Sequence, residues 1–216
     1  MYTFKFKKVS FLFLILGLLA IFSEVGAQTY TKLNVKGRVQ IEVPADWTIN
    51  DSEQRKRVTE LSEKITGMRD LNVATLSVHS FPTPSKMFIR VSFIKQDPPI
   101  SQAEFVKEFN ADRKLFLREV EDGWKTEAPK MWSALGKNGV REVGKPSFSV
   151  EPIGGQSGIV IRYARTSVGN PNETMNVAQY HVLIGSEKAL ITLSTIDNDV
   201  SIKAAHDRIK NSISIK

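Results

Sequence analysis

Hydrophobic and polar residues alternate over the chain from about residue 33 to residue 43, a pattern that predicts a β-strand. Gly37 interrupts the alternation and indicates either a bulge or a turn at that point. Pro44 and the residues up to Trp47 end the run. The alternating apolar positions are Leu33, Val35, Val39, Ile41 and Val43.

A helical pattern and then a second strand pattern follow. Asn50–Ser52 supplies N-capping side chains, and apolar residues from Val58 to Met68 recur every three or four positions, which predicts an amphipathic helix with Gly67 near its end. Two strand-like runs, Ala74–Phe81 and Met87–Lys95, are separated by a turn at Pro82–Ser85, which predicts a β-hairpin. In the second run, Ile89, Val91 and Phe93 share one face, and Arg90 and Ser92 share the other.

The strongest helical signal begins at Ser101. Ser101 and Glu104 have the spacing of a capping box. Phe105–Val120 carries apolar residues on one side, which predicts one long helix that weakens near Gly123. We expect Glu121–Gly144 to be irregular, with a short helical piece at Ala128–Leu135.

The last third of the chain predicts a meander of four strands, then a helix and a short extended end. The strands are joined by hairpin turns, so the sheet is expected to be mainly antiparallel, with helices covering its faces. The fold class is therefore α+β, an α-β-α sandwich. The predicted strands are Ser147–Pro152, Gly158–Thr166, Met175–Ile184 and Ala189–Ile196, followed by a helix at Val200–Lys210 and the extended residues Ile213–Ile215.

The N-terminus has the pattern of a secretory signal peptide. Three lysines precede an apolar run at Phe11–Phe22, and small residues occupy the positions before a cleavage point after Ala27. The run is shorter than the roughly 20 residues of a comfortable membrane span, although an uncleaved anchor remains the alternative. We expect one mature domain, Gln28–Lys216, that is periplasmic or extracellular and has no integral membrane segment.

Composition excludes several kinds of chemistry. The chain has no cysteine, so disulfides and thiolate metal sites are excluded. Its net charge of +7 falls to about +5 without the signal segment, and the charges are of mixed sign rather than in one basic stripe. We therefore expect no nucleic-acid partner.

The residues that could carry catalysis or hold a cofactor are few and scattered. His79, His181 and His206 lie far apart in the sequence, so no metal site and no cofactor are predicted. Ser157, in a glycine-rich turn, could form a hydrolase pair with His181. Asp197 and Asp199 precede the last helix, where N-capping explains them and cation binding is the alternative. No enzyme activity is predicted.

Aromatic residues give the one candidate contact surface. Trp124, Met131 and Trp132 lie in the stretch expected to be irregular, and such a segment is long enough to be a docking loop. We interpret these three residues as a surface that binds a protein or another component of the cell envelope, with packing at the edge of the sandwich as the alternative.

The chain resembles the Mog1/PsbP-like family. Val39–Trp47 looks like that family's opening strand and Pro-x-x-Trp turn, Phe105–Val120 its central helix, and Ile202–Ile215 its terminal helix and return strand. The resemblance implies an α-β-α sandwich that works without catalysis as an accessory or binding protein. The hydrolase that uses Ser157 and His181 is one alternative. The other is a small-ligand or lipid carrier, which requires an apolar cavity between helix and sheet.

Overall fold

A computed structural model of the chain describes residues 28–66, 73–80, 85–168, 170–196 and 200–216. Within these ranges the strands form two sheets, and every strand pair is antiparallel. The smaller sheet has the order β1-β2-β10. Its strands are β1 (Tyr30–Val35), β2 (Val39–Pro44) and β10 (Ser214–Ile215).

The main sheet has seven strands among the described residues. The hairpins predicted from the sequence place the last four long strands side by side, and the last of these pairs with the strand Met87–Lys95. From one edge to the other the order is β3 (Thr48–Ile49), β4 (Leu76–His79), β5 (Met87–Lys95), β9 (Glu187–Ile196), β8 (Asn170–Ile184), β7 (Gln156–Ser167) and β6 (Glu142–Ile153). The predicted α+β class with a mainly antiparallel sheet is therefore confirmed.

The main aliphatic core lies on one face of this sheet, which we call the core face. The last of the four described helices, α4 (Val200–Ser212), and the smaller sheet cover that face. Side chains from β2, β5, β8, β9 and α4 meet there and are almost completely buried. Burying each large apolar side chain contributes about 1.5–3 kcal/mol to folding. Representative residues are Ile41, Val91, Tyr180, Ile191 and Ile209.

An ion-pair network links α4 to the strands of the main sheet on the core face. Arg162 donates two hydrogen bonds to Glu151, at 2.6 and 2.8 Å, and Nζ of Lys210 on α4 donates to Oε2 of Glu151 at 3.3 Å. The hydrogen bonds from Arg162 lower the pKa of Glu151 to about 2, because they favour its charged form. Glu151 is therefore a charged anchor for the helix at neutral pH.

The remaining helices belong to the opposite side of the main sheet, which we call the second face. They are α1 (Ser52–Thr66), α2 (Gln102–Ala111) and α3 (Arg113–Gly136); α2 contacts β7, α3 contacts β6, and α1 contacts α3. Phe116 packs edge-on against Phe105 and Phe109, with ring centroids 5.5 and 5.6 Å apart. The predicted apolar stripe therefore joins α2 to α3.

Three expectations about element boundaries were wrong in detail. The expected single helix breaks at Asp112, whose extended backbone ends α2 and whose side chain accepts a hydrogen bond from Leu115 N at the start of α3. The expected irregular stretch Glu121–Gly144 is helical up to Gly136, because α3 continues through Pro129. The first predicted strand is two strands, β1 and β2, with Gly37 in the turn between them, and they pair in a sheet of their own.

Several predicted features lie outside the described residues. These are the signal segment up to Ala27, Gly67 and Met68 at the expected end of the first helix, most of the turn Pro82–Ser85, and the capping residues Asp197 and Asp199. Among the helices that are described, none has the length and apolar character needed to cross a membrane.

Candidate functional site

A cleft of about 1050 Å³ lies on the second face of the main sheet. Residues of β4, β5, β9, β8 and β7 line it, together with Ser85 and Val168 beside the strands. Its apolar lining includes Phe88, Val168, Met175, Val177 and Ile196. Phe88 is 38% exposed and Val168 is 63% exposed, so the cleft presents apolar surface to solvent.

The strand register explains how these side chains come together. Residues opposite each other on antiparallel strands point to the same face of a sheet. Phe88 is paired with Ser194, and Ser194 with Val177, so they form one row across the floor of the cleft. Arg90 is paired with Thr192, which begins the adjacent row.

The second face is more polar than the core face. Ser92 and Ser194 are buried on the second face, although the core-face residues of the same two strands are aliphatic. Gln179 also lines the cleft, and its Nε2 donates a long hydrogen bond of 3.5 Å to the hydroxyl of Tyr163. The lining therefore combines an apolar floor with a small number of polar groups, which is the usual composition of a small-molecule site.

Two arginines on different strands of the cleft give it positive charge. Arg90 lies on β5, and Arg165 lies on β7. Burial lowers the pKa of both guanidinium groups, because leaving water disfavours their charged form. Arginine nonetheless stays protonated in proteins, so both remain cations.

An aromatic cluster forms the wall of the cleft at β7. The ring of Tyr163 lies 5.1 Å from that of Trp124 and 5.7 Å from that of Trp132, measured between centroids. Trp124 also contacts Phe148, at 6.3 Å. Tyr163 itself lines the cleft, and burial raises the pKa of its hydroxyl. Helix α3 therefore holds one wall of the cleft through its two tryptophans.

The predicted contact residues Trp124, Met131 and Trp132 all lie on α3, and all three are half-buried. The two tryptophans use part of their surface to pack against Tyr163, and part stays exposed. Their role in binding a partner stays a prediction.

The histidines are placed in three different settings. His79 lines the cleft, with its Nδ1 3.0 Å from Ser85 Oγ. His206 lies on α4, with its Nδ1 3.2 Å from the carboxylate of Asp207. His181 is largely buried on β8, and its pKa falls to about 4, chiefly because burial disfavours the charged ring and to a lesser extent because Lys188 is nearby.

The hydrolase pair of Ser157 and His181 is not assembled. In the part of the chain that the structure describes, Nε2 of His181 is buried without a hydrogen-bond partner. The backbone carbonyl of Ser157 accepts a hydrogen bond from Gln102 Nε2 at 2.8 Å, which ties β7 to α2. Across the described ranges, no three His, Asp or Glu side chains group into a metal site.

Sequence reasoning missed the cleft, although one signal for it was present. The alternation in β5 correctly placed Arg90 and Ser92 on the face opposite Ile89 and Val91. On an edge strand such residues would be solvated. Because β5 is an interior strand between β4 and β9, Arg90 is partly buried and Ser92 is buried.

No protein-family model matches the chain, and no curated protein is similar to it. Similar solved structures include a protein from Bacteroides thetaiotaomicron, at 10% identity and a TM-score of 0.43, over 88% of this chain and 49% of that one. PsbP (CyanoP) from Synechocystis sp. PCC 6803 is 12% identical, with a TM-score of 0.45, over 89% and 96% of the two chains. LpqN of Mycobacterium tuberculosis, described as involved in cell envelope biogenesis, is 13% identical, with a TM-score of 0.41, over 87% and 91%.

One of these three proteins is a PsbP. The family that the sequence resembles thus reappears among the similar structures. The chain spans about half the length of the Bacteroides protein and most of the other two. At these TM-scores and identities, no function passes from these proteins to this chain.

Proposed function

We propose that this chain is a non-catalytic, exported binding protein that holds a small, mainly apolar ligand in the cleft of the main sheet. The observation that carries the proposal is the cleft itself, whose floor and walls come from five strands of one sheet. Its volume of about 1050 Å³ is at the upper end of the range of small-molecule sites. Of the alternatives that the sequence raised, the small-ligand carrier therefore has the most support.

Binding explains the cleft better than catalysis does. A hydrolase needs a nucleophile hydrogen-bonded to its base, and the described residues Ser157 and His181 do not form that bond. The burial that lowers the pKa of His181 also makes it a weak base.

The proposed location outside the cytoplasm rests on the N-terminal sequence. The basic start, the apolar run and the small residues that end at Ala27 are typical of export signals. An envelope protein that shields apolar compounds from water would use a cleft of this kind.

Filling the cleft is expected to weaken ligand binding. Thr192 lies on the floor between β5 and β8, so a phenyl ring introduced by Thr192→Phe would occupy space in the cleft. We expect the affinity for the uncharged dye Nile red, measured by fluorescence titration, to fall by about tenfold or more, equivalent to about 1.4 kcal/mol.

Thr31→Phe is the matched control, because Thr31 is exposed on β1 in the smaller sheet. It adds the same apolar group elsewhere on the molecule and is expected to leave Nile red affinity within about twofold of the unmodified protein. Equal affinity of the two variants, with both folded by circular dichroism, would contradict the proposal.

The partial exposure of Trp124, Met131 and Trp132 on α3 favours a second candidate function, the binding of an envelope protein. In a pull-down from an envelope fraction, the double variant Trp124→Ala/Trp132→Ala is expected to lose at least about 90% of the captured partner, since aromatic anchors dominate interfaces. Leu115→Ala is the control, because Leu115 is an exposed apolar residue on the same helix. Full retention of the partner by a folded double variant would exclude this surface.

A further inference from the structure

Arg90 is a partly buried cation in the interior of the main sheet. It lies on β5, with Ser77 and Thr192 as its cross-strand neighbours, and both are uncharged. Among the described residues, no ion pair or side-chain hydrogen bond joins Arg90 to a carboxylate. Arg162, another partly buried arginine, differs because it forms a two-pronged pair with Glu151.

An unpaired cation in a partly buried position is costly. Burial lowers the pKa of Arg90, and among the described residues no neighbouring anion compensates the loss of water. Proteins normally pair such charges or use them to bind an anion from outside. Arg90 lines the cleft, so an anion on a bound ligand can reach it.

The charge of the cleft favours an anionic ligand. Two arginines line it, and Glu173 is the one carboxylate among the described lining residues. Glu173 precedes Met175 at the start of β8, whereas Arg90 is paired through Thr192 with Gln179 farther along that strand. The carboxylate therefore lies towards one end of the cleft, away from Arg90.

Arg165 is less available than Arg90. It lies three strands away, about 14 Å across the sheet. Its guanidinium already donates to the backbone carbonyl of Thr166 at 3.0 Å and contacts the sulfur of Met175 at 3.1 Å. The group that is free to bind an anion is therefore Arg90.

Apolar residues of the cleft lie on both sides of Arg90, and the larger group extends from it in the direction of Phe88. Phe88 lies two positions along β5, and Val177 lies in the same row as Phe88, two strands over. Met175 and Ile196 are paired with each other and form the next row. The cleft thus places a charged group beside an apolar surface two rows deep, in which Ser194 is the polar residue between Phe88 and Val177.

We propose that the ligand is a single-chain amphiphile whose anionic head, a carboxylate or a phosphate, pairs with Arg90 and whose hydrocarbon tail lies over Phe88, Val177, Met175 and Ile196. The planar guanidinium can donate two parallel hydrogen bonds to either type of head. The inference rests on the proposed function, because it assigns the chemistry of a ligand held in the same cleft.

The test compares three decyl compounds that differ in the head group. Decanoate, decyl phosphate and uncharged decanol are each used to displace Nile red from the full chain. Both anions are expected to compete at concentrations about tenfold lower than decanol does, and the tighter of the two identifies the head as carboxylate or phosphate. In Arg90→Gln, the advantage of the anions is expected to shrink to about twofold or less.

Two further variants separate charge from structure. Arg165→Gln removes the same net charge from the same cleft and is expected to keep the advantage of the anions. Arg90→Lys keeps the charge but not the planar guanidinium group, and it is expected to retain part of the advantage of the anions over decanol. Thermal unfolding of each variant confirms that it is folded.

The outcomes distinguish this inference from the proposed function. Displacement by all three compounds at equal concentrations would overturn the role of Arg90 while the cleft remains a ligand site. Loss of the anion advantage in Arg165→Gln instead of Arg90→Gln would overturn the assignment to Arg90. If Nile red does not bind and no decyl compound binds by calorimetry, the proposed function itself fails.

Discussion

Acidification from pH 7 to pH 4 is expected to lower the free energy of unfolding by about 3 kcal/mol through His181 alone. Burial holds the pKa of His181 at about 4 in the folded protein, against 6.5 for an ordinary histidine. Between pH 6.5 and pH 4, the unfolded chain binds a proton at His181 that the folded chain does not. The stability that depends on the neutral form of His181 is therefore fully present above pH 6.5 and is lost progressively as the pH falls towards 4.

His181→Leu is expected to remove most of this loss. Ile159 and Leu190 are the cross-strand neighbours of His181, so leucine suits its surroundings and also removes the buried Nε2 that has no partner among the described residues. Urea unfolding at pH 7, 5.5 and 4 measures the effect. We expect the variant to be at least as stable as the unmodified protein at pH 7 and about 2–3 kcal/mol more stable at pH 4.

Glu151→Gln provides the contrasting case. The folded pKa of Glu151 is about 2 and its ordinary value is 4.5, so the stability contributed by its ion pair is present above pH 4.5 and is lost between pH 4.5 and about 2. This variant is expected to lose stability already at pH 7, because Arg162 loses its charged partner.

If His181→Leu has the same pH dependence as the unmodified protein from pH 7 to 4, the assignment of the acid sensitivity to His181 is wrong.

The regular part of the fold could be predicted because it depends on local patterns. The alternation in Met87–Lys95 and the turn glycines of the last four strands determine which residues pair, and the strands form as expected. The smaller sheet could not be predicted in the same way. Its strand β10 pairs with β2 from the other end of the chain, and no local pattern specifies a contact between residues so far apart in sequence.

The helical breaks show how capping competes with periodicity. The apolar stripe from Phe105 to Val120 continues across Asp112, and the stripe alone predicts one helix. The Asp112 side chain caps α3, which favours a new start at that point. Farther along, Gly123 and Pro129 argue against a helix, yet Trp124 and Trp132 pack on Tyr163, and this tertiary contact outweighs the unfavourable local propensity.

The cleft depends on information that one strand cannot supply. Arg90 and Ser92 could be placed on the second face from the sequence, but an exposed polar face and the floor of a cleft have the same alternation. What distinguishes them is the position of β5 between β4 and β9, which is set by long-range pairing. The sequence predicts Trp124 and Trp132 as part of a contact surface, and the structure adds that they support a wall of the cleft.

Gly154→Ala is expected to destabilise the protein by about 3 kcal/mol, because it would strain the turn and displace the C-terminal strand. Gly154 has a φ of +60°, which a residue with a side chain rarely adopts. A Cβ atom there would lie 2.8 Å from the backbone nitrogen of Ile215, closer than such contacts occur. That nitrogen donates a hydrogen bond to the Gly154 carbonyl at 3.1 Å, and Ile215 pairs with Val39 in the smaller sheet.

Gly155→Ala is the matched control for this prediction. Gly155 also has a positive φ, of +87°, but a Cβ atom there would meet no atom within 4 Å. Gly155→Ala therefore introduces the backbone strain without the collision, and we expect it to lower the free energy of unfolding by about 1 kcal/mol, measured with urea. In a chain that ends at Ile213, the two variants are expected to cost the same, because β10 is absent. If Gly154→Ala still costs about 2 kcal/mol more than Gly155→Ala in the shortened chain, the collision with β10 is not the cause.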